Sequence, residues 1–471
     1  MKETVELLAE EQLHERQDLV RGLKDRHIQL IAIGGAIGVG LFLGSARAIQ
    51  SAGPGLLLAY GLGAVIVFFL ARALGELLLY RPVAGSFTTY AEEFIGPWAG
   101  FFTGWSYWLM WVVAGIAEIT AVGLYVQYWF PDVPQWVPAL ITLAVLYGMN
   151  LIAVGLFGEL EFWFALIKVI TIIALIVLGV VIIVFGIGDL GRQASFANLW
   201  SNGGFLPMGV SGVILALPIA LFSFGGVELI GVTAGEAQDP ERTLPKAINA
   251  VVYRILIFYI GALLVIMSLV AWNQLDPKQS PFVMVFERIG IPAAAGIINF
   301  VVLTAAASAC NSGIFSTGRM LYTLAQFGQA PKAFAKVSSR HVPAAGVTIS
   351  ACIMLVGVLL NYLVPEKVFI YASSVVVVAM LWTWAMIVLS HLRYRRAVQE
   401  GRVRASSFRM PGWPYANWFV LAAIVVVVAM LGADADSRIA LYAAPIWFGI
   451  LALSYRVVTA RADSALRAQS V

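Results

Sequence analysis

Twelve stretches of this chain are each apolar over at least the roughly 20 residues that a helix needs to cross a bilayer core. They cover about 28–49, 53–79, 97–127, 136–155, 160–186, 207–234, 248–272, 291–325, 344–363, 368–392, 415–432 and 438–459. In lipid every main-chain N–H and C=O must find its partner within the protein, so spanning segments are helices or the strands of a closed barrel. Runs this long select helices, and the expected fold class is an all-α polytopic membrane protein. Composition agrees: the chain is 61% hydrophobic and 12% charged, with a mean hydropathy of +0.87, more apolar surface than a soluble fold can hide.

Residues 1–27 are polar and mixed in charge (Glu3, Glu6, Glu10, Glu11, Arg16, Arg21, Lys24). They lack a short apolar core with a small-residue cleavage site, so they read as a cytoplasmic tail and not a cleaved signal. An even number of spans puts both tails on one side. The loops on the other side hold Arg47, Arg192, Lys278, Arg288, Lys367 and Arg438, whereas most of the 30 Lys and Arg lie on the tail side. The positive-inside rule therefore places both termini in the cytoplasm. The chain divides into a tail (1–27), a core of ten helices (28–392), a basic cytoplasmic loop (393–414), two peripheral helices (415–459) and a second tail (460–471). The run Arg393-Tyr394-Arg395-Arg396 reads as a solvated topology anchor and not as a nucleic-acid site. Cys310 and Cys352 lie in apolar segments and imply neither a disulfide framework nor a metal cluster. His14, His27, His341 and His391 fall in tails, loops or helix ends, which argues against an intramembrane haem or histidine relay.

Within the first span stand Gly34, Gly35, Gly38 and Gly40. Each glycine costs a helix about 1 kcal/mol relative to Ala, so this stretch gives up helix where burial should favour it. A second interruption, Phe222-Ser223-Phe224-Gly225-Gly226-Val227-Glu228, falls in the sixth span. Irregular backbone at membrane depth is tolerated where it is buried in protein or lines a cavity, and paired broken helices point to a transporter binding site. If spans one to five and six to ten form two inverted halves, each half opens with its own break. A half-helix starting near Val39 or Gly40, after Ile37 and Gly38, presents N–H groups and partial positive charge suited to a carboxylate. Carbonyls at Phe222, Ser223 and Gly225, beside Phe224, suit an ammonium. Together they describe the two ends of an amino-acid zwitterion, bound without a buried protein charge opposite it.

Ionisable residues inside spans are functional candidates. Lys168, two turns into span five, reads either as a lysine snorkelling to the membrane edge or as a desolvated amine that binds and releases a proton. Glu228 either bridges the unwound backbone or carries the proton. Glu118 in span three is an interhelical bond or a polar wall of the pocket. Glu76 and Glu236 sit at cytoplasmic span ends, where solvation or a gate-closing salt bridge outweighs substrate contact. Ser308 and Ser312 share a face of span eight, where tight packing competes with an ion site. The chain has no phosphate loop, metal spacing or nucleophile elbow, so an enzyme is not expected. No metal or other cofactor is called for, and neither nucleic acid nor an obligatory protein partner; lipid surrounds the chain.

Several segments resemble the amino acid transporter family of the amino acid–polyamine–organocation (APC) superfamily. They are Arg26-His27-Ile28-Gln29-Leu30-Ile31-Ala32-Ile33-Gly34-Gly35-Ala36-Ile37-Gly38, Gly158-Glu159-Leu160-Glu161-Phe162-Trp163-Phe164, Glu228-Leu229-Ile230-Gly231 with Ala234-Gly235-Glu236-Ala237-Gln238-Asp239-Pro240-Glu241, Asn311-Ser312-Gly313-Ile314-Phe315-Ser316-Thr317 and Ala330-Pro331-Lys332. The resemblance implies twelve transmembrane helices in an APC-like five-plus-five inverted repeat, with helices one and six broken. It also implies proton-coupled uptake (symport) by alternating access across the bacterial inner membrane. It puts the substrate carboxylate at Val39 and Gly40, the amino group at carbonyls of Phe222 to Gly225, a gate at Phe222 and coupling at Lys168. Val39 stands where many relatives have Thr, which removes a hydroxyl near the carboxylate contact.

Gly96-Pro97-Trp98-Ala99-Gly100-Phe101-Phe102-Thr103-Gly104-Trp105 and the stretch from Ala306 to Thr317 are most similar to permeases for D-alanine, D-serine and glycine. Asn361-Tyr362-Leu363-Val364-Pro365 resembles asparagine permeases, Phe222 to Gly226 aromatic ones, and Asn198 to Gly204 proline ones. The expectation is a proton-coupled importer of small neutral amino acids. Sodium coupling and a sensor that binds amino acids without moving them are the rivals.

Overall fold

The computed structural model describes residues 37–83, 85–152, 154–234, 240–289, 292–340 and 342–469. Gly34, Gly35, Glu236, His14, His27 and His341, singled out above, lie outside the described residues. Those described form helices and loops, without a strand among them.

The first described helix begins after non-helical Ile37 and Gly38, with a π-helical turn Gly40–Gly44 that continues as α1 (Ser45–Ala52). The chain turns a corner at Gly53, φ 58°, into α2 (Leu56–Tyr80). There follow α3 (Ser86–Phe94), α4 (Pro97–Gln127), α5 (Trp136–Ile152) and α6 (Val154–Phe185). The sixth span is split into α7 (Gly209–Phe222) and α8 (Leu229–Ala234). The seventh is α9 (Pro240–Arg254), a π-helical stretch Ile255–Gly261 and α10 (Ala262–Leu269). Then come α11 (Pro281–Arg288), α12 (Pro292–Gln326), α13 (Ala344–Leu363), α14 (Pro365–Gln399), α15 (Tyr415–Ala433) and α16 (Ile439–Gln469).

Two features escape a reading by hydropathy. The short helices α3 and α11 are too brief to span and too polar to signal a span, yet each follows the second long helix of its half. The order of elements therefore recurs after the first helix of each half: long helix, short helix, three long helices; the break expected in the first span falls in part on residues outside those described. The helices also overrun the apolar stretches. α6 starts at Val154 and α14 continues to Gln399, so Arg393 to Arg396 ride on a helix and do not form a loop.

α4 lies at the centre, packed along α12 and α14, while α7 packs between α1 and α2. α15 covers α7 and α14, and α16 lies over α14 and α4 with an almost wholly outward-facing apolar surface. Helix contacts in lipid gain nothing from hydrophobic burial, so small residues and interhelical hydrogen bonds hold them. Asn361 Nδ2 on α13 donates to Thr120 Oγ1 on α4 at 2.8 Å and Gln135 Nε2 donates to Asn361 Oδ1 at 2.7 Å. Asn150 on α5 donates to Asn311 Oδ1 on α12 at 2.7 Å.

Candidate functional site

Pro218 within α7 and the pair Gly225-Gly226 beyond it remove helix stability at one place, and the helix stops at Phe222. Residues Ser223 to Glu228 form consecutive tight turns, of which Gly226 adopts φ 96°, a conformation that side chains resist. The freed main chain finds new partners. Glu228, buried at 1% exposure, accepts from the Gly226 N–H on Oε1 and from Trp384 Nε1 of α14 on Oε2, both at 3.2 Å. Its side chain thus closes the break on itself and ties it to the tenth span, which is the bridging alternative of the two.

Ser223 is held from two sides. Its hydroxyl donates to the Ile219 carbonyl at 3.0 Å, so the 2.9 Å hydrogen bond with Tyr60 is donated by the tyrosine. Tyr259, in the π-helical stretch, donates to the Ser223 carbonyl at 2.9 Å. The Phe222 carbonyl accepts from the Gly225 N–H at 3.0 Å. Two of the three carbonyls expected to take an ammonium are therefore already engaged; the Gly225 carbonyl is free of hydrogen bonds among the described residues. The Phe222 ring meets Phe369 of α14 edge-on, centroids 6.2 Å apart.

The start of the first described helix lies against this break. A Cβ built on Gly40 would stand 2.6 Å from Ser223 Cα, so the start of that helix touches the interruption main chain to main chain. Beside them, Glu118 of α4 takes up the helix start: a Cβ on Gly38 would meet its Oε1 at 2.8 Å, and the carboxyl lies against the Val39 main chain. The Val39 main chain expected to meet a substrate thus faces a protein carboxyl instead, and Gly40 follows it. Glu118 thus bridges α4 and the first described helix by contact, while its Oε2 is buried without a hydrogen-bond partner among the described residues.

Lys168 on α6 is fully buried, which removes the snorkelling alternative. Its Nζ donates to Ser308 Oγ of α12 at 3.0 Å, and that hydroxyl lies 2.8 Å from both carboxylate oxygens of Glu161. Ser312, one turn on, faces the same carboxylate without a well-formed hydrogen bond. Ser308 therefore serves polarity and not packing alone. Glu161 was missed in the sequence, although a signal existed: seven residues before Lys168, it shares that residue's helix face. Tyr60, Tyr259 and Trp384 left no such trace, being set by packing between distant segments.

At the basic ends of the helices a second buried cluster stands apart. Glu76 of α2, expected to be solvated or paired, is paired: its Oε2 accepts from His391 Nε2 at 2.9 Å and the Met410 N–H at 2.6 Å, and its Oε1 faces Arg395 Nη1 at 3.3 Å. Asn417 Nδ2 donates to His391 Nδ1 at 2.9 Å, so the imidazole proton sits on Nε2. His391 is thus not at a helix end as expected but fully buried within α14. On the opposite side Asp436 joins Arg47 of α1 and Lys367 of α14, each at 3.3 Å.

Residues 27–464 match the family model described as amino acid permease. The chain is 50% identical to the amino-acid permease AapA of Bacillus subtilis, covering 95% of this chain and 96% of the relative. It is 48% identical to the aromatic amino acid transport protein AroP of Escherichia coli O157:H7, over 95% and 97%. It is 46% identical to the D-serine/D-alanine/glycine transporter of Escherichia coli K12, over 99% and 100%.

Proposed function

The chain belongs to the amino acid permease family, a multi-pass membrane protein and not an enzyme, and we propose that it imports small neutral amino acids, D-forms included, by proton symport. In this reading it works by alternating access in the bacterial inner membrane with both termini cytoplasmic. The observation that carries it is the contact between Gly40 and Ser223, which brings the main chain at the start of the first described helix and the Gly225 carbonyl to one place at membrane depth. An amino acid offers the matching carboxylate and ammonium. Ile37, Gly38 and Phe224 line the helix start and the second interruption, Phe222 closes over them against Phe369, and the Glu118 carboxyl adds a polar wall at the helix start. The buried amine of Lys168 supplies a group that exchanges a proton away from bulk water, while Glu228 holds the second interruption in shape.

The choice of small substrates rests on the relative matched over its whole length, which is named for D-serine, D-alanine and glycine. The similarity to AroP keeps an aromatic substrate as the competing reading. Purified protein in proteoliposomes, loaded against an imposed pH gradient and challenged with labelled D-alanine and a panel of L- and D-amino acids, separates them. Small amino acids, not Phe or Trp, compete in the first reading. Uptake that follows sodium and ignores pH would refute proton coupling, and binding without uptake would make the protein a sensor. Lys168→Ala is expected to abolish gradient-driven accumulation while sparing exchange.

A further inference from the structure

Ser308 joins an amine to a carboxylate in a place that water does not reach: Lys168, Glu161 and Ser308 are each wholly buried. A hydroxyl has one proton to give and lone pairs to receive another, an ammonium only donates, and a carboxylate only accepts. The order is therefore set. Lys168 Nζ–H donates to Ser308 Oγ, whose own proton goes to one of the two Glu161 oxygens. Glu161 stands seven residues nearer than Lys168 to the start of α6, about 10 Å along a helix axis, on the side where the Lys- and Arg-rich segments gather.

We propose that Glu161, reached through Ser308, is the acceptor that draws the transported proton from Lys168 towards the basic side of the membrane. This rests on the proton-symport reading of the same site. In the transfer the N–H bond of Lys168 breaks as Ser308 Oγ takes that proton, and the O–H bond of Ser308 breaks as Glu161 Oε takes the other. An ammonium and a carboxylate become an amine and a carboxylic acid, the serine is unchanged, and no electron moves. Burial favours such an exchange, because holding two separated charges out of water costs several kcal/mol while the neutral pair avoids that cost. Loss of the proton from Glu161 to the basic side, followed by uptake of the next transported proton on the Lys168 amine, resets the site.

Other elements packed near the pair also bring polar groups among the described residues. α4 brings Glu118, which acts on Lys168 through space. On α12, which carries Ser308, Cys310 turns to the Gly115 carbonyl of α4 and Asn311 is bonded to Asn150. The π-helical stretch brings Tyr259, committed to Ser223, and α10 (Ala262–Leu269) brings no titratable side chain. Arg192 lies beyond the far end of α6.

The test uses the full chain in proteoliposomes with labelled D-alanine and a pH dye in the lumen. Ser308→Ala removes a single oxygen, so it disturbs the fold little, and Ser308→Thr returns the hydroxyl. The expected result for Ser308→Ala is counterflow near the wild-type rate with pH-driven accumulation and substrate-induced lumenal acidification at least about tenfold lower, the loss of a charge-assisted hydrogen bond. Ser308→Thr recovers most of both, and Glu161→Gln behaves like Ser308→Ala. Wild-type accumulation and an unaltered pH profile in Ser308→Ala would overturn the relay, as would equal loss of counterflow and accumulation, which marks a packing role. Wild-type protein that is indifferent to the pH gradient would instead defeat the symport reading itself.

Discussion

Gly40 and Ser223, 183 positions apart in the chain, meet without a side chain between them: a β-carbon on the glycine would stand 2.6 Å from the serine's Cα and 3.0 Å from its nitrogen. The obstacle is main chain, which cannot rotate aside as a side-chain tip does. In the proposed function, substrate binding depends on that approach.

Gly40→Ala should therefore push the helix start and the second interruption apart. Overpacking of this kind costs about 1–3 kcal/mol, or roughly a five- to hundredfold fall in uptake. Gly61→Ala on α2, where a Cβ meets nothing within 4 Å, should leave uptake unchanged. Initial rates of labelled D-alanine uptake at matched membrane levels decide the matter; equal rates in the two variants would show that the contact is dispensable.

Glu228 satisfies two donors, the Gly226 N–H and Trp384 Nε1, with its two oxygens. Glu228→Gln keeps one acceptor and turns an amide donor or a weakened acceptor towards the other. Trp384→Phe removes the indole donor, so it should lose less when combined with Glu228→Gln than the two changes lose separately. A coupling of about 1–2 kcal/mol is expected from a double-mutant cycle on melting of the detergent-purified protein. Strict additivity would mean that the bond contributes nothing.

Glu76 is the shared acceptor for His391, Arg395 and the Met410 N–H. Replacing it with Gln strips a buried ion pair of one partner, a change that costs about 3–5 kcal/mol. The segment around Met410 should come loose from α2, read as faster proteolysis between α14 and α15 along with a lower melting temperature. His391→Gln, whose amide can still donate to Glu76, should be milder. Similar melting for all three proteins would contradict the clamp.

Asp436 lies between α15 and α16, outside the spans. Burial pushes its carboxyl up, but hydrogen bonds and charge from Arg47 and Lys367 outweigh that and hold it below its usual range. A carboxyl depressed in the folded state stabilises above its unfolded value and loses that contribution as pH falls through the folded one. The stability difference between wild type and Asp436→Asn should stay level from pH 7 down to about 4, the ordinary aspartate value, and shrink below it. A difference that fades already between pH 7 and 5 would contradict the assignment.

The second interruption was legible because its cause is local. Pro218 and Gly225-Gly226 act within a few residues of the helix end they produce, and run length marked the spans for the same reason. Lys168 announced itself as a charge between apolar neighbours. Its environment did not: the hydroxyl that separates it from Glu161 comes from a helix 140 positions away. The fate of the Phe222 and Ser223 carbonyls was likewise hidden, since Tyr259 reaches Ser223 only once the seventh span is in place.

The amino-acid sequence by itself determined that the chain crosses a membrane many times, where the sixth crossing comes apart, and which charged side chains must end up in its interior. Those properties follow from spacing, size and hydrophobicity along a few turns of helix. Tertiary structure alone decided that Val39 meets Glu118, that Ser308 stands between Lys168 and Glu161, and that Glu76 finds His391 across 315 positions. Hydrogen bonds between helices depend on which faces are brought within about 3 Å, and that is a property of how the helices pack and not of any one of them.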